Sequence, residues 1–94
     1  MRTLVLASSF KRAFKKLVRR QPELQEPIEE RLRLLAADPF DPLLQTHKLK
    51  GKLTGSWACS VEYDCRIVFN FVANPESEEE EILLIDIGTH DQVY

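Results

Sequence analysis

The chain has 94 residues, room for one domain spanning 1–94 and too little for two self-sufficient cores. With 44% hydrophobic and 30% charged residues, 3 Gly and 5 Pro, it falls outside the disordered, collagen-like and low-complexity classes. The net charge of −2 argues against a uniformly basic nucleic-acid binder, and no apolar run nears the ~20 residues of a membrane span.

Thr3 to Ala7 is a short apolar stretch that predicts a first strand, too short for the apolar core of a signal peptide. That points to the cytoplasm and away from a membrane. Ser8 and Ser9 then offer an N-cap, because a serine oxygen can accept from an orphan N–H one turn on. Phe10, Ala13, Phe14 and Leu17 follow at helical spacing, with basic residues between them. Arg2, Lys11, Arg12, Lys15, Lys16, Arg19 and Arg20 put seven cations and no acid into the first 20 residues. Such a helix face either stays solvated or tracks an RNA backbone.

Pro22 and Pro27 separate this helix from a second, with Pro27 suited to a first-turn position. Ile28, Leu32 and Leu35 form its apolar stripe, and Asp38-Pro39-Phe40-Asp41-Pro42 ends it. Beyond this point the period changes to two. His47 to Leu53 predicts a second strand punctuated by Gly51 and Gly55. Trp57, Cys59 and Val61 alternate with Ala58, Ser60 and Glu62; Cys65, Ile67, Phe69 and Phe71 alternate with Arg66, Val68 and Asn70. Two strands so close in sequence predict a hairpin turning at Tyr63-Asp64.

Asn74 to Glu80 predicts an acidic loop, and Ile82 to Ile87 a last strand, central and covered on both faces. Glu76, Glu78, Glu79, Glu80 and Glu81 concentrate five negative charges there; without them the chain would stand at +3. A Debye length of roughly 8 Å keeps distant patches partly independent, so this tip does not exclude a polyanionic partner. The order is β-α-α-β-β-β-β. It predicts an α+β fold in which an N-terminal strand and helical hairpin pack on a mostly antiparallel sheet of four to five strands.

Cys59 and Cys65 make no disulfide framework and lack the partners of a zinc site, so two free, half-buried thiols are expected. If Cys65, Ile67 and Phe69 pack under the helices, Arg66 must point to the opposite face. Lys48, Lys50 and Lys52 share a period of two, which would line them along one edge or face. An arginine fork with mobile lysines suits phosphate; solvated strand residues are the plainer reading. His47 and His90, the only histidines, sit at element boundaries. Histidine serves as base or acid because its unperturbed pKa is near 6.5. Asp64 could orient a histidine, hold Arg66 or simply make the turn, and Tyr94 could stack on a base or cover the sheet edge. No Gly-rich phosphate loop, nucleophile elbow or metal motif is present, and no cofactor is implied.

Read as strings, the second half runs His47-Lys-Leu-Lys-Gly51, Leu53-Thr-Gly-Ser-Trp57, Asp64-Cys-Arg-Ile-Val-Phe69 and Ile87-Gly-Thr-His-Asp-Gln-Val-Tyr94. Together these resemble the RelE/ParE superfamily of bacterial type II toxins, and look closest to its RelE/StbE and YafQ branch. The resemblance implies a RelE-like fold and a ribosome-dependent mRNA endonuclease (an mRNA interferase), neutralised by an antitoxin; the surface that an antitoxin would cover is exposed in the free protein, which could then pair with a second copy. It implies metal-independent cleavage, in which the ribose 2′-hydroxyl attacks the adjacent phosphate.

By the same resemblance, His47, Asp64 and His90 match catalytic positions of the YafQ branch. Arg66 matches a strand arginine that contacts the scissile phosphate, and Tyr94 falls where relatives place a functional aromatic. Lys48, Lys50 and Lys52 resemble the lysine-rich, RNA-binding strand of RelE. Ser60 departs from the pattern, standing where the YafQ branch has a further histidine, and the mildly acidic balance departs too. Two other functions stay open on the residues: a ParE-like inhibitor of DNA gyrase, and a partner-binding module with weak catalysis.

Overall fold

The computed structural model describes residues 1–62, 64–76 and 78–89. Five strands and two long helices alternate in the expected order: β1 (Leu4–Leu6), α1 (Ser8–Arg20), α2 (Gln25–Ala37), β2 (His47–Lys48), β3 (Trp57–Ser60), β4 (Cys65–Ala73) and β5 (Glu80–Thr89). Short 3₁₀ turns at Pro22–Leu24, Pro42–Leu44 and Gly51–Leu53 fill the connections. The sheet order is β1-β5-β4-β3-β2, with β1 parallel to β5 and every other pair antiparallel. It is the α+β arrangement that the pattern predicts. Among the described residues no helix is long and apolar enough to cross a membrane.

The apolar stripe of α1 faces the sheet, with Phe10 and Leu17 buried, while Lys11, Arg12, Lys15, Lys16, Arg19 and Arg20 are all exposed. Arg19 and Arg20 occupy the last turn, where cations oppose the negative end of the helix dipole. In α2, Ile28, Leu35 and Ala36 are buried, and Pro27 stands in the first turn, where its missing N–H costs no hydrogen bond. Asp38 ends the helix in an extended conformation (φ −153°), as a residue before proline favours. The core between helices and sheet joins Phe10, Ile28, Leu35, Leu44, Cys59, Ile67, Phe69, Ile82 and Leu84, all of them almost fully buried. Each such large aliphatic or aromatic side chain contributes about 1.5–3 kcal/mol relative to exposure.

Four sequence expectations need correction. The N-cap of α1 is Ala7, with no side-chain cap; Ser8 and Ser9 are already helical. Ser9 Oγ instead donates to the Ile85 carbonyl at 2.6 Å. The physical cause is a β-bulge: Val68 pairs with Asp86 but Phe69 with Leu84, which leaves Ile85 as the extra residue. Because β1 ends at Leu6, opposite Leu84, no strand partner reaches that carbonyl and the serine takes it.

The second strand is only His47–Lys48, since the chain turns through the Gly51–Leu53 turn, with Gly51 at φ +73° and Gly55 at φ +97°. β5 is interior, between β1 and β4, but the helices cover one face of it only. Its other face meets a small second cluster, in which Leu53 and Ile85 pack against buried Leu49, Ala58 and Val68. Finally, Cys59 and Cys65 are free as expected but buried, not half-buried.

Candidate functional site

The alternation of β4 fixes which side chains leave the core. Cys65, Ile67 and Phe69 point to the helices, so Arg66, Val68 and Asn70 point to the face opposite them, where Leu49, Leu53 and Ile85 cover Val68 but Arg66 stays half-exposed. Residues paired across antiparallel strands share a face, so the register extends this assignment. Ser60 pairs with Arg66, which pairs with Gly88; His47 pairs with Ala58, which pairs with Val68, which pairs with Asp86. His47, Ser60 and Arg66 therefore stand on one open face, in two neighbouring rows. From strand spacing and rise, the His47 and Arg66 Cα atoms are about 12 Å apart, a gap that their side chains and one phosphate group can span.

Each of the three is held differently. Arg66 is half-buried, and its Nη1 donates to the Cys65 carbonyl at 3.2 Å. Ser60 Oγ donates to Gln45 Oε1 at 3.3 Å. His47 is exposed, with Nδ1 2.9 Å from the Gln45 backbone oxygen. Gln45 ends the Pro42–Leu44 turn in the left-handed conformation (φ 51°, ψ 41°), the one non-glycine with positive φ among the described residues. Nothing in the sequence marks this residue: glutamine has no turn signature, and its left-handed conformation follows from the chain's path into β2.

Of the remaining expected site residues, those that the structure describes lie apart from this group. Asp64 is exposed in the β3–β4 turn, and among the described residues no ion pair links it to Arg66. Lys48, Lys50 and Lys52 are expected along one edge or face, and a face shared with Arg66 is ruled out for Lys48. Lys48 pairs with Trp57, a residue packed on the helix side, and its Nζ lies 5.3 Å from the Trp57 ring centroid, a cation–π distance. It thus stands on the face opposite Arg66. Lys50 is exposed at the start of the Gly51–Leu53 turn, off the sheet. The Lys52 side chain, His90 and Tyr94 lie outside what the structure describes.

Charge is segregated by the length of the β4–β5 hairpin. Arg66 sits at the turn-proximal end of β4, while the glutamate-rich segment joins its far end, seven residues or about 24 Å away. That exceeds the screening length, so the acidic tip scarcely weakens a phosphate bound at Arg66. A cleft of about 220 Å³ opens between α1 and β5, lined by Lys16, Arg20, Gln21, Asp86 and Ile87 among others. The thiols contribute no nucleophile. Burial pushes Cys59 up to about 12, with Cys65 adding and Arg31 opposing. Burial likewise raises Cys65 to about 11, against Arg66. Among the described residues no group of three His, Cys, Asp or Glu side chains could hold a metal ion.

No curated protein matches the chain. Among solved structures, a copper-bound mutant toxin from Helicobacter pylori is 29% identical, with full coverage of both chains and a TM-score of 0.72. YafQ from Escherichia coli is 16% identical over 100% of this chain and 99% of its own, with a TM-score of 0.76, a likeness of fold. The toxin of the Escherichia coli DinJ–YafQ toxin–antitoxin complex is equally distant, 16% identical over 99% of this chain and 97% of its own, TM-score 0.74. The family model of the bacterial toxin YafQ, of type II toxin–antitoxin systems, matches residues 2–94, and the chain belongs to that family.

Proposed function

We propose that this toxin is an endoribonuclease that cuts mRNA on translating ribosomes and is silenced by a cognate antitoxin. The observation that carries the reading is the shared open face of His47, Ser60 and Arg66, placed at the end of the molecule far from the acidic tip. Cleavage by 2′-hydroxyl attack forms a bond from O2′ to phosphorus and breaks the bond to the leaving O5′, yielding a 2′,3′-cyclic phosphate and a 5′-hydroxyl. A base must take the 2′ proton, and an acid must give one to O5′. Negative charge grows on the non-bridging oxygens between these events, and a guanidinium fork is suited to it.

In this reading Arg66 faces the scissile phosphate and His47 exchanges one of the two protons. His90 is the complementary acid–base residue, Asp64 supports a histidine from the turn, and Tyr94 stacks on a base. Lys50 and Lys52, with Lys48 from the other face, contact RNA outside the reacting phosphate. The exposed cations of α1 bear on the ribosomal RNA backbone.

An antitoxin, the partner that YafQ has in the DinJ–YafQ complex, would cover the open face and its cations; without it the face could meet a second copy. The test is the chemistry of the product ends. RNA recovered from a translating extract with the purified toxin should carry 2′,3′-cyclic phosphates at the new 3′ ends, and antitoxin should prevent their formation. Fragments bearing 3′-hydroxyls, or growth arrest with intact messages and inhibited gyrase, would contradict the proposal.

A further inference from the structure

A carbonyl oxygen can only accept, so the 2.9 Å contact between His47 Nδ1 and the Gln45 backbone oxygen requires the proton on Nδ1. The neutral ring then carries its lone pair on Nε2. An imidazole in water favours the opposite tautomer, so the protein would be choosing the less common one. The contact depends on backbone conformation. Gln45 N–H closes the Pro42–Leu44 turn on the Pro42 carbonyl at 3.3 Å, and the left-handed φ of 51° then turns its own carbonyl toward the ring two residues on. The same residue accepts the Ser60 hydroxyl on its side-chain Oε1. One residue therefore ties together two of the three side chains that share the open face.

We propose that Gln45 is a positioning residue, whose backbone carbonyl fixes His47 as the Nδ1–H tautomer with Nε2 as the proton-exchanging nitrogen, and whose side chain holds Ser60 beside it. The functional half rests on the endonuclease reading; the tautomer does not. Two substitutions separate the parts. Gln45→Gly keeps the carbonyl and tolerates positive φ while losing the amide, whereas Gln45→Val disfavours that φ because β-branched residues scarcely enter it.

The experiment is long-range ¹H–¹⁵N correlation of the neutral His47 ring, assigned against His47→Gln, alongside single-turnover cleavage of a message in a translating extract. The parent and Gln45→Gly should show a protonated Nδ1 and a pyridine-like Nε2. Gln45→Val, checked for folding by circular dichroism, should revert toward the Nε2–H form and cleave at least tenfold more slowly, with Gln45→Gly intermediate. A parent ring found as Nε2–H overturns the inference. So does a Gln45→Val protein that changes tautomer yet cleaves at the parent rate. A parent that cuts no RNA sinks the endonuclease reading and the positioning role with it, while the tautomer is still decided by the spectrum.

Discussion

Ser60 and Arg66 are directly paired across the β3–β4 hairpin, on the face of the sheet that the helices leave open. A serine there leaves space beside the guanidinium that a larger ring would occupy. One tine of the arginine's fork, Nη1, is turned back onto the Cys65 carbonyl at 3.2 Å, which restrains the guanidinium and leaves its other donors for a phosphate.

Arg66→Lys should therefore not be conservative. A lysine keeps the charge but loses the planar fork, and Arg66→Ala loses both. Cleavage should fall about 10²–10³-fold for the alanine variant, the usual cost of removing a transition-state donor, and by a smaller factor for the lysine. Single-turnover rates measured beside thermal melting curves check this, because the melting temperature should shift far less than the rate.

The buried thiols set a pH prediction. In the unfolded chain both cysteines ionise around 9.0; in the folded one Cys59 resists to about 12 and Cys65 to about 11. Folding thus retains protons that the unfolded state releases between these values. The stability contribution is intact below pH 9.0 and is lost as pH rises toward 11 and 12. Urea titrations at pH 8 and pH 10 should show the midpoint falling, and replacing both cysteines with alanine should flatten that dependence. At pH 8, iodoacetamide should label the unfolded chain and spare the native one.

Core and surface truncations should separate cleanly. Leu35 is fully buried between α2 and the sheet, whereas Leu43 is 66% exposed in the next turn. Leu35→Ala should cost about 2–5 kcal/mol and Leu43→Ala under about 0.5 kcal/mol in chemical denaturation. Equal losses would mean that α2 does not seat on the sheet as described.

The cations of α1 should matter for association and not for folding. Lys15→Glu with Arg19→Glu changes two exposed positions, neither of them in an ion pair among the described residues. Ribosome binding should weaken, and its dependence on log salt should lose a slope of about 0.7 for each phosphate contact removed. The melting temperature should stay nearly constant. Sedimentation with ribosomes at several salt concentrations reads this directly.

The fold was legible where a periodic pattern met a long element. The alternation Cys65, Ile67, Phe69, Phe71 against Arg66 predicts both the β4 pleat and the outward arginine, and the stripe Phe10, Ala13, Phe14, Leu17 predicts α1. The same reasoning failed on Lys48, Lys50 and Lys52. Their spacing mimics a strand face, but pairing ends at Lys48 and a glycine at φ +73° turns the chain away. Ser9 was misread as a cap because its partner, the Ile85 carbonyl at the bulge, lies 76 residues further on. Gln45 gave no signal, since the conformation that aims its carbonyl is imposed by the turn before it. The proximity of His47 and Arg66 likewise needed the register of three strands, which no local pattern contains.

The most direct test of the central claim is primer extension along a defined message in a translating extract, comparing the parent toxin with His47→Ala and Arg66→Ala. The account predicts cuts within the reading frame that require ongoing translation, weaken sharply in both variants and disappear when antitoxin is added. Undiminished cutting by both variants would show that the open face is not the catalytic surface, and an intact message with a folded, toxic parent would show that this toxin does not act on RNA.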